Sequence, residues 1–523
     1  METNSEKIRK YPIGIQSFEN LRCEGYLYVD KTALIYRLVT TGKPYFLSRP
    51  RRFGKSLLLS TLKAYFEGKK ELFEGLAIAE LETNWTVHPV LHLSLNAEKY
   101  DSIDRLDKQM NSQLMNWEVL YGCDAADWTY SIRFMNVIKA AYKQTGQQVV
   151  VLIDEYDKPM LESMHDKELQ DQFRNILVAF YSVLKDADPY LKLIFITGVT
   201  KFAQMSIFST LNQLIDISLE KDYETLCGMT RTEIEQTFTP ELDAMALKDN
   251  TSRTVVMERM TAMYDGYHFC EERTEGMFNP FSVLNTMRQL KFNYYWFATG
   301  TPTFLVKMLQ RTNFDVRELV NGIEVSEASL MSYKVNDDDP VPMIYQSGYL
   351  TIKDYDPEFN LYKLQLPNEE VKYGLLNYMA PYYTPVMERD VPFYIGKFIK
   401  ELRVCEVDAF MNRMRAFFAG ITYELSDDTE RHYQNIFYIV FTLLGQFADV
   451  EVRSCRGRAD MVVKTSDYIY VFEFKLNGTA EEALLQIDKK GYLIPYTVDH
   501  RKLVRIGVDF DKETRNIGRW LVQ

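Results

Sequence analysis

The chain has 523 residues, a length that predicts two to four domains rather than a single hydrophobic core. Hydrophobic residues make up 46% and charged residues 26%, which is typical of a soluble globular protein and excludes a largely disordered chain. The net charge of −12 excludes a protein that is coated in nucleic acid by bulk electrostatics, although it leaves a local nucleic-acid site open.

Neither a secretory signal nor a membrane span is predicted. The N-terminal residues lack an apolar segment, and no apolar run approaches the eighteen or so residues of a membrane helix. The six cysteines are widely spaced, without a C-x-x-C pair or a histidine at ligand spacing, so we expect reduced thiols rather than zinc or disulfides. These features favour a cytoplasmic protein with no membrane partner.

The first predicted elements precede a basic loop. Alternation at Tyr26–Val29 predicts a short strand. Asp30 is then expected to cap a helix from Thr32 to Thr40. The segment could contact adenine or could simply pack against the core, and the sequence does not decide between these roles.

A phosphate-binding loop is predicted between an apolar strand at Tyr45–Leu47 and an amphipathic helix that reaches Tyr65. The pattern of such loops is G-x-x-x-x-G-K-[ST], and here Arg49 occupies the position of the first glycine. The alternative is an ordinary basic turn before a helix, since Gly-Lys-Ser alone is common.

ATP with Mg²⁺ is the ligand expected at this loop. Backbone N–H groups and the positive end of the helix dipole suit phosphate oxygens. Lys55 would reach the β- and γ-phosphates, and the Ser56 hydroxyl would bind Mg²⁺. We expect the nucleotide to be contacted by Arg49, Arg51, Arg52, Phe53, Gly54, Lys55, Ser56 and Leu57, with the three arginines lying along the phosphates.

A buried strand followed by two acids supports this interpretation. After an apolar strand at residues 89–95 and a mostly helical stretch at 98–145, five consecutive aliphatics at Val149–Ile153 lead into Asp154 and Glu155. Open α/β sheets bind ligands at the carboxyl ends of their strands. This is the arrangement of a Walker B motif, in which Asp154 would hold Mg²⁺ and Glu155 would polarise the attacking water. The alternative is a strand that merely ends in a polar turn.

The next predicted strand, residues 191–201, ends in hydroxyl groups. Thr197 or Thr200 could act as a sensor of the γ-phosphate or of the attacking water, or could belong to an ordinary turn. Three strands that alternate with helices and end in polar groups predict an α/β nucleotide-binding domain with a parallel sheet.

The pattern changes after about residue 220. A helix from Thr232 to Phe238 is predicted, with Glu235 as its capping-box partner, within a mostly helical lid or winged-helix region. Three prolines within residues 381–395 indicate a nearby domain boundary. We therefore expect domains at residues 1–220, 221–380 and 381–523.

The last ninety residues contain a second set of candidate catalytic side chains. Glu430 opens a predicted helix, and Asp460 lies where a turn enters a strand. Thirteen residues later, Glu473 and Lys475 share one face of another predicted strand. A helix at 479–491 contains Gln486.

This order of side chains is the PD-(D/E)xK nuclease constellation. Asp460 and Glu473 would bind Mg²⁺ or Mn²⁺, with Glu430 as a further metal ligand. Lys475 would position or deprotonate the attacking water, and Gln486 would orient the water or the lysine. The alternative is a solvated strand face, on which E-x-K is common. Residues 430–523 carry 14 Lys and Arg against 13 Asp and Glu, so this part could accept nucleic acid better than the acidic remainder.

The chain resembles a bacterial family in which an AAA-ATPase-like domain is fused to a PD-(D/E)xK nuclease-superfamily domain. The matching segments span nearly its whole length: YPIGIQSFE, YLYVDKT, SRPRRFGKSLLLSTL, VVVLIDEYDKP, FITGVTKF, YDGYHF, NPFSVLN, YWFATGTPTFL, LPNEEV, GRADMVV, FEFKL and ALLQI. The resemblance implies ATP binding at Lys55, Ser56 and Asp154, and a nuclease-like metal site at Asp460, Glu473 and Lys475. It also treats Arg49 as a variant of the family's own loop.

Two functional hypotheses follow. In the first, an ATPase controls a metal-dependent nuclease that acts on DNA or RNA, in defence or in mobile-element biology. In the second, the chain is a nucleotide switch or scaffold whose C-terminal fold interacts without cutting. The sequence does not give the oligomeric state, and a homo-oligomer is one of the partners left open. An arginine finger would normally come from a neighbouring subunit, and no arginine is assigned to that role.

Overall fold

The structure is a computed structural model of the chain. It describes residues 9–123, 128–164, 166–201, 214–272, 275–299, 303–312, 314–331, 339–383, 387–419, 429–445, 451–453, 461–475, 478–511, 514 and 516–523. Contacts between residues divide the chain into two units, Met1–Trp296 with Gly322–Asn368, and Phe297–Asn321 with Glu369–Gln523. The boundaries predicted at residues 220 and 380 remain predictions.

A five-stranded parallel sheet forms the centre of the first unit. Its strands are β1 (Pro44–Ser48), β2 (Val90–Ser94), β3 (Val149–Asp154), β4 (Leu191–Gly198) and β5 (Ile215–Asp216), in the spatial order β2-β3-β4-β1-β5. All the pairings are parallel. Every residue of β3 is buried, which explains its unbroken aliphatic run, because helices cover both faces of such a sheet.

Strand order places the candidate site residues together. Strand β1, which enters the basic loop, pairs directly with β4, and β4 pairs with β3. The connection from β1 runs toward β2, whereas the connection from β4 passes β1 to reach β5. The two connections therefore run in opposite directions across the sheet beside β1. Ligands of open α/β sheets bind at such a switch point.

The helices that precede or interrupt this sheet are α1 (Phe18–Cys23), α2 (Thr32–Thr41), α3 (Lys55–Phe66), α4 (Ile78–Leu81), α5 (Ile103–Tyr121), α6 (Tyr130–Thr145), α7 (Lys158–Glu162) and α8 (Lys167–Asp186). The strand predicted at Tyr26–Val29 is wrong: Tyr26 forms only an isolated bridge with Lys10. The N-cap of α2 is Lys31 rather than the predicted Asp30, although Asp30 accepts a hydrogen bond from Thr32 N at 2.8 Å.

Helices and a small sheet follow within the first unit. They are α9 (Arg231–Thr237), α10 (Thr239–Lys248), α11 (Arg253–Tyr264) and α12 (Pro280–Gln289), then β6 (Ile323–Ser326), α15 (Glu327–Met331), α16 (Val341–Gln346), β7 (Thr351–Asp356) and β8 (Leu361–Gln365). The predicted capping box is shifted by two residues. Thr230, rather than Thr232, caps α9, and its partner is Glu233 rather than Glu235. Both pairs have the same three-residue spacing, so the pattern alone did not separate them.

The second unit combines helices with a mixed sheet. Its helices are α13 (Thr303–Arg311), α14 (Val316–Asn321), α17 (Glu369–Tyr383), α18 (Val391–Arg403), α19 (Val407–Ala419), α20 (Thr429–Leu444) and α21 (Ala480–Lys490). Its strands are β9 (Glu451–Arg453), β10 (Met461–Lys464), β11 (Tyr468–Lys475), β12 (Lys502–Asp511) and β13 (Asn516–Val522), in the order β13-β12-β11-β10-β9. Strands β11 and β12 are parallel, and the other pairings are antiparallel.

A glycine allows α21 to lie close against this sheet. A Cβ atom at Gly507 of β12 would lie 2.3 Å from the carbonyl oxygen of Ala480 and 2.8 Å from the amide nitrogen of Leu484. The backbones of β12 and α21 are therefore closer together than a side chain at position 507 would allow. This packing holds Gln486 of α21 beside β11.

No helix within the part of the chain that the structure describes is long and apolar enough to cross a membrane.

Candidate functional site

The loop between β1 and α3 has a strained backbone. Gly54, which caps α3, has φ = 98°, and no atom lies within 4 Å of a Cβ built there. Glycine is thus required by the backbone angle rather than by lack of space. Arg52 also has a positive φ, 69°, a conformation that costs a non-glycine residue about 1–3 kcal/mol and is concentrated at functional sites.

Lys55 lies inside the curve of this loop. Its side chain is buried, and Nζ donates hydrogen bonds to the carbonyl oxygens of Arg49 at 2.9 Å and Pro50 at 3.2 Å. The loop therefore holds the ammonium group that is expected to bind the phosphates. The first amides of α3 lack acceptors within the helix, as at any helix N-terminus.

Arg49 lies in the interior beneath the loop, only 2% exposed. Its guanidinium donates to the carbonyl oxygens of Ser48 at 2.9 Å, Ser218 at 2.8 Å and Tyr223 at 3.3 Å. Its Cζ lies 4.1 Å from the centre of the Phe269 ring. Burial lowers the pKa of Arg49 from its ordinary value. Main-chain carbonyls therefore bind the guanidinium in the interior, whereas the sequence led us to expect it along the phosphates.

The next two loop arginines are exposed. The Arg52 guanidinium lies 5.1 Å from the ring centre of Phe281, at the start of α12. The carbonyl oxygen of Arg51 accepts a hydrogen bond from Trp296 Nε1 at 3.1 Å. Both side chains can therefore reach solvent at the mouth of the loop.

Phe53 has a structural position in the loop. It is buried against the edges of Tyr267 and Phe269, with ring centres 4.8 and 5.5 Å away. Its carbonyl oxygen accepts a hydrogen bond from Gly228 N at 3.1 Å. Arg49 and Phe53 thus attach both ends of the loop to the same aromatic segment, and this explains why aromatics recur there.

The carboxyl ends of β3 and β4 bring two predicted site residues together. Thr197 Oγ1 donates to Asp154 Oδ1 at 2.8 Å, and both side chains are buried. Asp154 Oδ2 makes no hydrogen bond within the described residues. The neighbouring Glu155 has φ = 54°, and its carboxylate likewise makes no hydrogen bond to a described residue.

Asp157 is a buried acid that sequence reasoning missed. Its Oδ2 accepts hydrogen bonds from Val199 N at 3.0 Å, Thr200 N at 2.6 Å and Thr200 Oγ1 at 2.7 Å. Burial raises the pKa of Asp157 to about 6, and repulsion from Glu155 adds to the rise. Thr200 therefore hydrogen-bonds to Asp157, whereas Thr197 hydrogen-bonds to Asp154. The second aspartate of Asp-Glu-Tyr-Asp was the only signal for this role.

The donor set of this site fits Mg²⁺-ATP. A buried lysine and free first-turn amides suit phosphate oxygens. A hydroxyl at Ser56 and a carboxylate at Asp154 supply the oxygen donors that Mg²⁺ prefers. When bound, the metal would neutralise charge on the phosphates. The chain's own contribution is to hold Lys55 in the loop and to orient Asp154 through Thr197.

Three residues of the C-terminal prediction form one hydrogen-bonded cluster. Glu473 is 3% exposed, and Gln486 Nε2 donates to its Oε1. Lys475 Nζ donates to Gln486 Oε1 at 2.5 Å and lies 3.6 Å from Glu473 Oε1. Gln486 therefore links the acid and the lysine through its two amide atoms.

The two faces of β11 have separate roles. Phe472 and Phe474 pack against aromatics of α20, with ring centres of Phe437 and Phe474 only 4.2 Å apart. The opposite face carries Glu473 beside Val471, which packs on α21 in an apolar cluster. An aromatic face on one side thus fixes the orientation of the polar cluster on the other.

Two predicted metal ligands are not placed. Asp460 lies outside the described residues, and Glu430 belongs to α20 but its side chain also lies outside them. Across the described ranges, no group of three or more His, Cys, Asp or Glu side chains is arranged to hold a metal ion. The proposed pair of Asp460 and Glu473 therefore stays a prediction.

The parallel sheet with its lysine-bearing loop and the mixed sheet with its acid-lysine-glutamine cluster have the folds expected of an AAA-ATPase-like domain and of a PD-(D/E)XK nuclease-superfamily domain. A family model described as a predicted AAA-ATPase matches residues 12–208, and one for the PD-(D/E)XK nuclease superfamily matches residues 428–520. A relative from Azotobacter chroococcum mcd 1, described as "Uncharacterized protein in vnfD 5'region", is 34% identical over 531 residues. The match covers 98% of this chain and 99% of the relative. The chain belongs to this family of AAA-ATPase-like proteins fused to a PD-(D/E)XK nuclease-superfamily domain.

Proposed function

We propose that the protein hydrolyses ATP at the β1–α3 loop and that the nucleotide state controls a metal-dependent nuclease at the C-terminal sheet. The substrate class is a phosphodiester of DNA or RNA. A role in defence or in mobile-element biology is consistent with that chemistry. The proposal depends most on one observation, the Glu473–Gln486–Lys475 cluster, because it joins an acid and a lysine at the end of β11 with an amide of α21.

At the ATP site each side chain has a stated task. Lys55 would exchange its carbonyl partners for the β- and γ-phosphate oxygens, and Ser56 with Asp154 would bind Mg²⁺. Glu155 would accept the proton of the attacking water, because its carboxylate has no partner among the described residues. Thr197 keeps one Asp154 oxygen in place.

At the C-terminal site, Glu473 with Asp460 and Glu430 would bind Mg²⁺ or Mn²⁺, which supplies Lewis-acid stabilisation of the phosphorane-like charge. Oxygen ligands of this kind suit both ions. Lys475 would hold or deprotonate the water that attacks phosphorus. Gln486 would keep Lys475 and Glu473 at their separation.

A second candidate function is favoured by one distance. Lys475 Nζ lies 3.6 Å from Glu473 Oε1, so the ammonium can neutralise the carboxylate without a metal. In that case the C-terminal fold would be an interaction module, and the protein would be a nucleotide-dependent switch or scaffold.

A cleavage assay separates the two functions. Purified protein with Mg²⁺ or Mn²⁺ and ATP is incubated with supercoiled, linear and single-stranded DNA and with RNA. Glu473→Gln removes a metal-binding charge and should abolish cleavage, whereas ATP turnover should be retained.

The matched control is Glu481→Gln. Glu481 is an exposed acid on the same helix as Gln486, where it pairs with Arg519 at 2.7 Å. Cleavage should survive this change. If the wild-type protein leaves every substrate intact, the nuclease proposal fails and the switch remains.

A further inference from the structure

Arg49 is an unusual residue to find beneath a phosphate-binding loop. It replaces a glycine of the common pattern, and its charged side chain is almost completely buried. It forms no ion pair with a described residue. Taking a charge out of water without an ion partner is costly. The free-energy cost of burying the Arg49 charge must therefore be offset by what its contacts contribute to structure or binding.

The contacts of Arg49 show what it holds. Its side chain joins the end of β1 to the segment after β5, through the carbonyl oxygens of Ser218 and Tyr223. Its backbone N–H donates to Gly198 O at the end of β4, at 3.2 Å. One residue therefore connects the loop with β4 and with the segment that follows β5.

The same residue also holds the lysine. The carbonyl oxygen of Arg49 accepts a hydrogen bond from Lys55 Nζ at 2.9 Å. The direction of this carbonyl is fixed because the amide and the side chain of Arg49 are both bonded. A glycine offers no such anchor, since its backbone is free to rotate.

The charge of Arg49 acts at longer range. The guanidinium is stacked on Phe269 at 4.1 Å in a water-poor environment, where electrostatic interactions are screened weakly. A positive charge buried at the start of the loop would therefore add to the potential that attracts phosphates.

We propose that Arg49 is a positioning residue for the nucleotide, acting through the loop backbone and its buried charge rather than by contact with phosphate. This inference rests on the proposed ATP site. In a loop with flexible glycines, the bound nucleotide shapes the loop. Here Arg49 shapes the loop before ATP binds. It also makes the shape of the loop depend on the segment of residues 218–223.

Chemical rescue tests the proposal. Arg49→Ala should weaken binding of a fluorescent ATP analogue at least about tenfold, which corresponds to about 1.4 kcal/mol and to the loss of one charge-assisted hydrogen bond. Guanidinium at a non-denaturing concentration should restore binding by occupying the vacated site. Urea has a similar planar shape but no charge, and it should not restore binding.

Two further variants provide controls. Arg49→Lys keeps the charge but not the forked geometry, so it should recover only part of the affinity. Arg133→Ala removes another buried arginine, which forms a bidentate pair with Glu118 at 2.7 and 2.8 Å outside the site. It should lower thermal stability but leave the affinity of the folded protein for the ATP analogue unchanged. If Arg49→Ala does not fold, Arg49→Lys carries the test.

Hydrogen exchange of the ligand-free proteins separates this proposal from the proposed function. Arg49→Ala should speed exchange of the amides of Leu58 and Gly228, which donate to the loop carbonyls of Gly54 and Phe53, and guanidinium should slow it again. If the wild-type protein binds no ATP analogue, the proposed function fails, and the exchange result alone decides the role of Arg49. Wild-type affinity and exchange in Arg49→Ala, or equal rescue by urea, would overturn the inference.

Discussion

The two candidate sites are held in different ways. At the β1–α3 loop, main-chain groups bind the charged side chains: carbonyl oxygens hold Arg49 and Lys55. At the C-terminal sheet, the side chains bind one another, with Gln486 between Glu473 and Lys475. The geometry of a site that is held by main-chain groups depends on the fold, whereas the geometry of a site that is held by side chains depends on each of those side chains. The first should therefore tolerate loss of a neighbouring side chain better than the second.

The largest effect is expected at Lys55. Lys55→Ala removes the buried ammonium that the loop carbonyls hold, and ATP turnover should fall by about 10²–10³-fold, the loss typical of one charge-stabilising donor. A coupled ATPase assay measures this. The control is Lys108→Ala, which breaks an exposed pair with Asp104 on α5 and should retain full turnover. Near wild-type turnover in Lys55→Ala would exclude this loop as the catalytic site.

Gln486 tests the dependence of the C-terminal site on its side chains. Gln486→Ala leaves Glu473 and Lys475 in direct contact, and cleavage should fall by about 10–100-fold, as when residues that orient metal ligands are removed. Metal-concentration dependence of cleavage is the measurement, and the half-saturating metal concentration should rise. A pure folding defect would lower cleavage at all metal concentrations alike.

Thr197 offers the comparable test at the first site. Thr197→Val removes the 2.8 Å hydrogen bond to Asp154 but keeps the shape of the side chain. ATP turnover should fall by about tenfold, because a hydrogen bond to a charged group contributes about 1.5 kcal/mol. Thr197→Ser should restore most of the loss. If Thr197→Val lowers ATP turnover by a larger factor than that by which Gln486→Ala lowers cleavage, the sites do not differ in the way proposed.

The smallest effect is a pH dependence that comes from Asp157. Its pKa rises from an ordinary 3.8 to about 6 on folding, so folding favours the neutral acid. Stability from this group is therefore greatest at low pH and is lost as the pH rises through that window. Between pH 5 and 7 the free energy of unfolding should fall by about 1 kcal/mol. Thermal unfolding of Asp157→Asn, which cannot ionise, should lack this component.

Sequence alone predicted the elements that are set by local pattern. Strand β3 follows from five consecutive aliphatics, and the cluster of Glu473 and Lys475 follows from the two-residue period of a strand. The Tyr26–Val29 strand was wrong because alternation does not supply a neighbouring strand to pair with. Capping of α9 was misplaced because two threonine-glutamate pairs share the same spacing.

Long-range contacts explain what the sequence could not provide. A charged residue in a phosphate-binding loop is expected to face the phosphates. The Arg49 guanidinium instead donates to the carbonyls of Ser218 and Tyr223, which are 169 and 174 residues away in the chain. Asp157 was missed because the strand carrying its partners is assembled only by folding. The metal site of Asp460 and Glu473 stays a prediction, as Asp460 lies outside the described residues.

We expect the nucleotide state at the β1–α3 loop to control cleavage at the C-terminal sheet. The most direct test measures cleavage by the wild-type protein and by Lys55→Ala without nucleotide, with ATP and with a non-hydrolysable ATP analogue, at one fixed concentration of Mg²⁺ or Mn²⁺. We expect the wild-type cleavage rate to change with the nucleotide and the Lys55→Ala rate to stay constant. Equal cleavage by both proteins under all three conditions would contradict it.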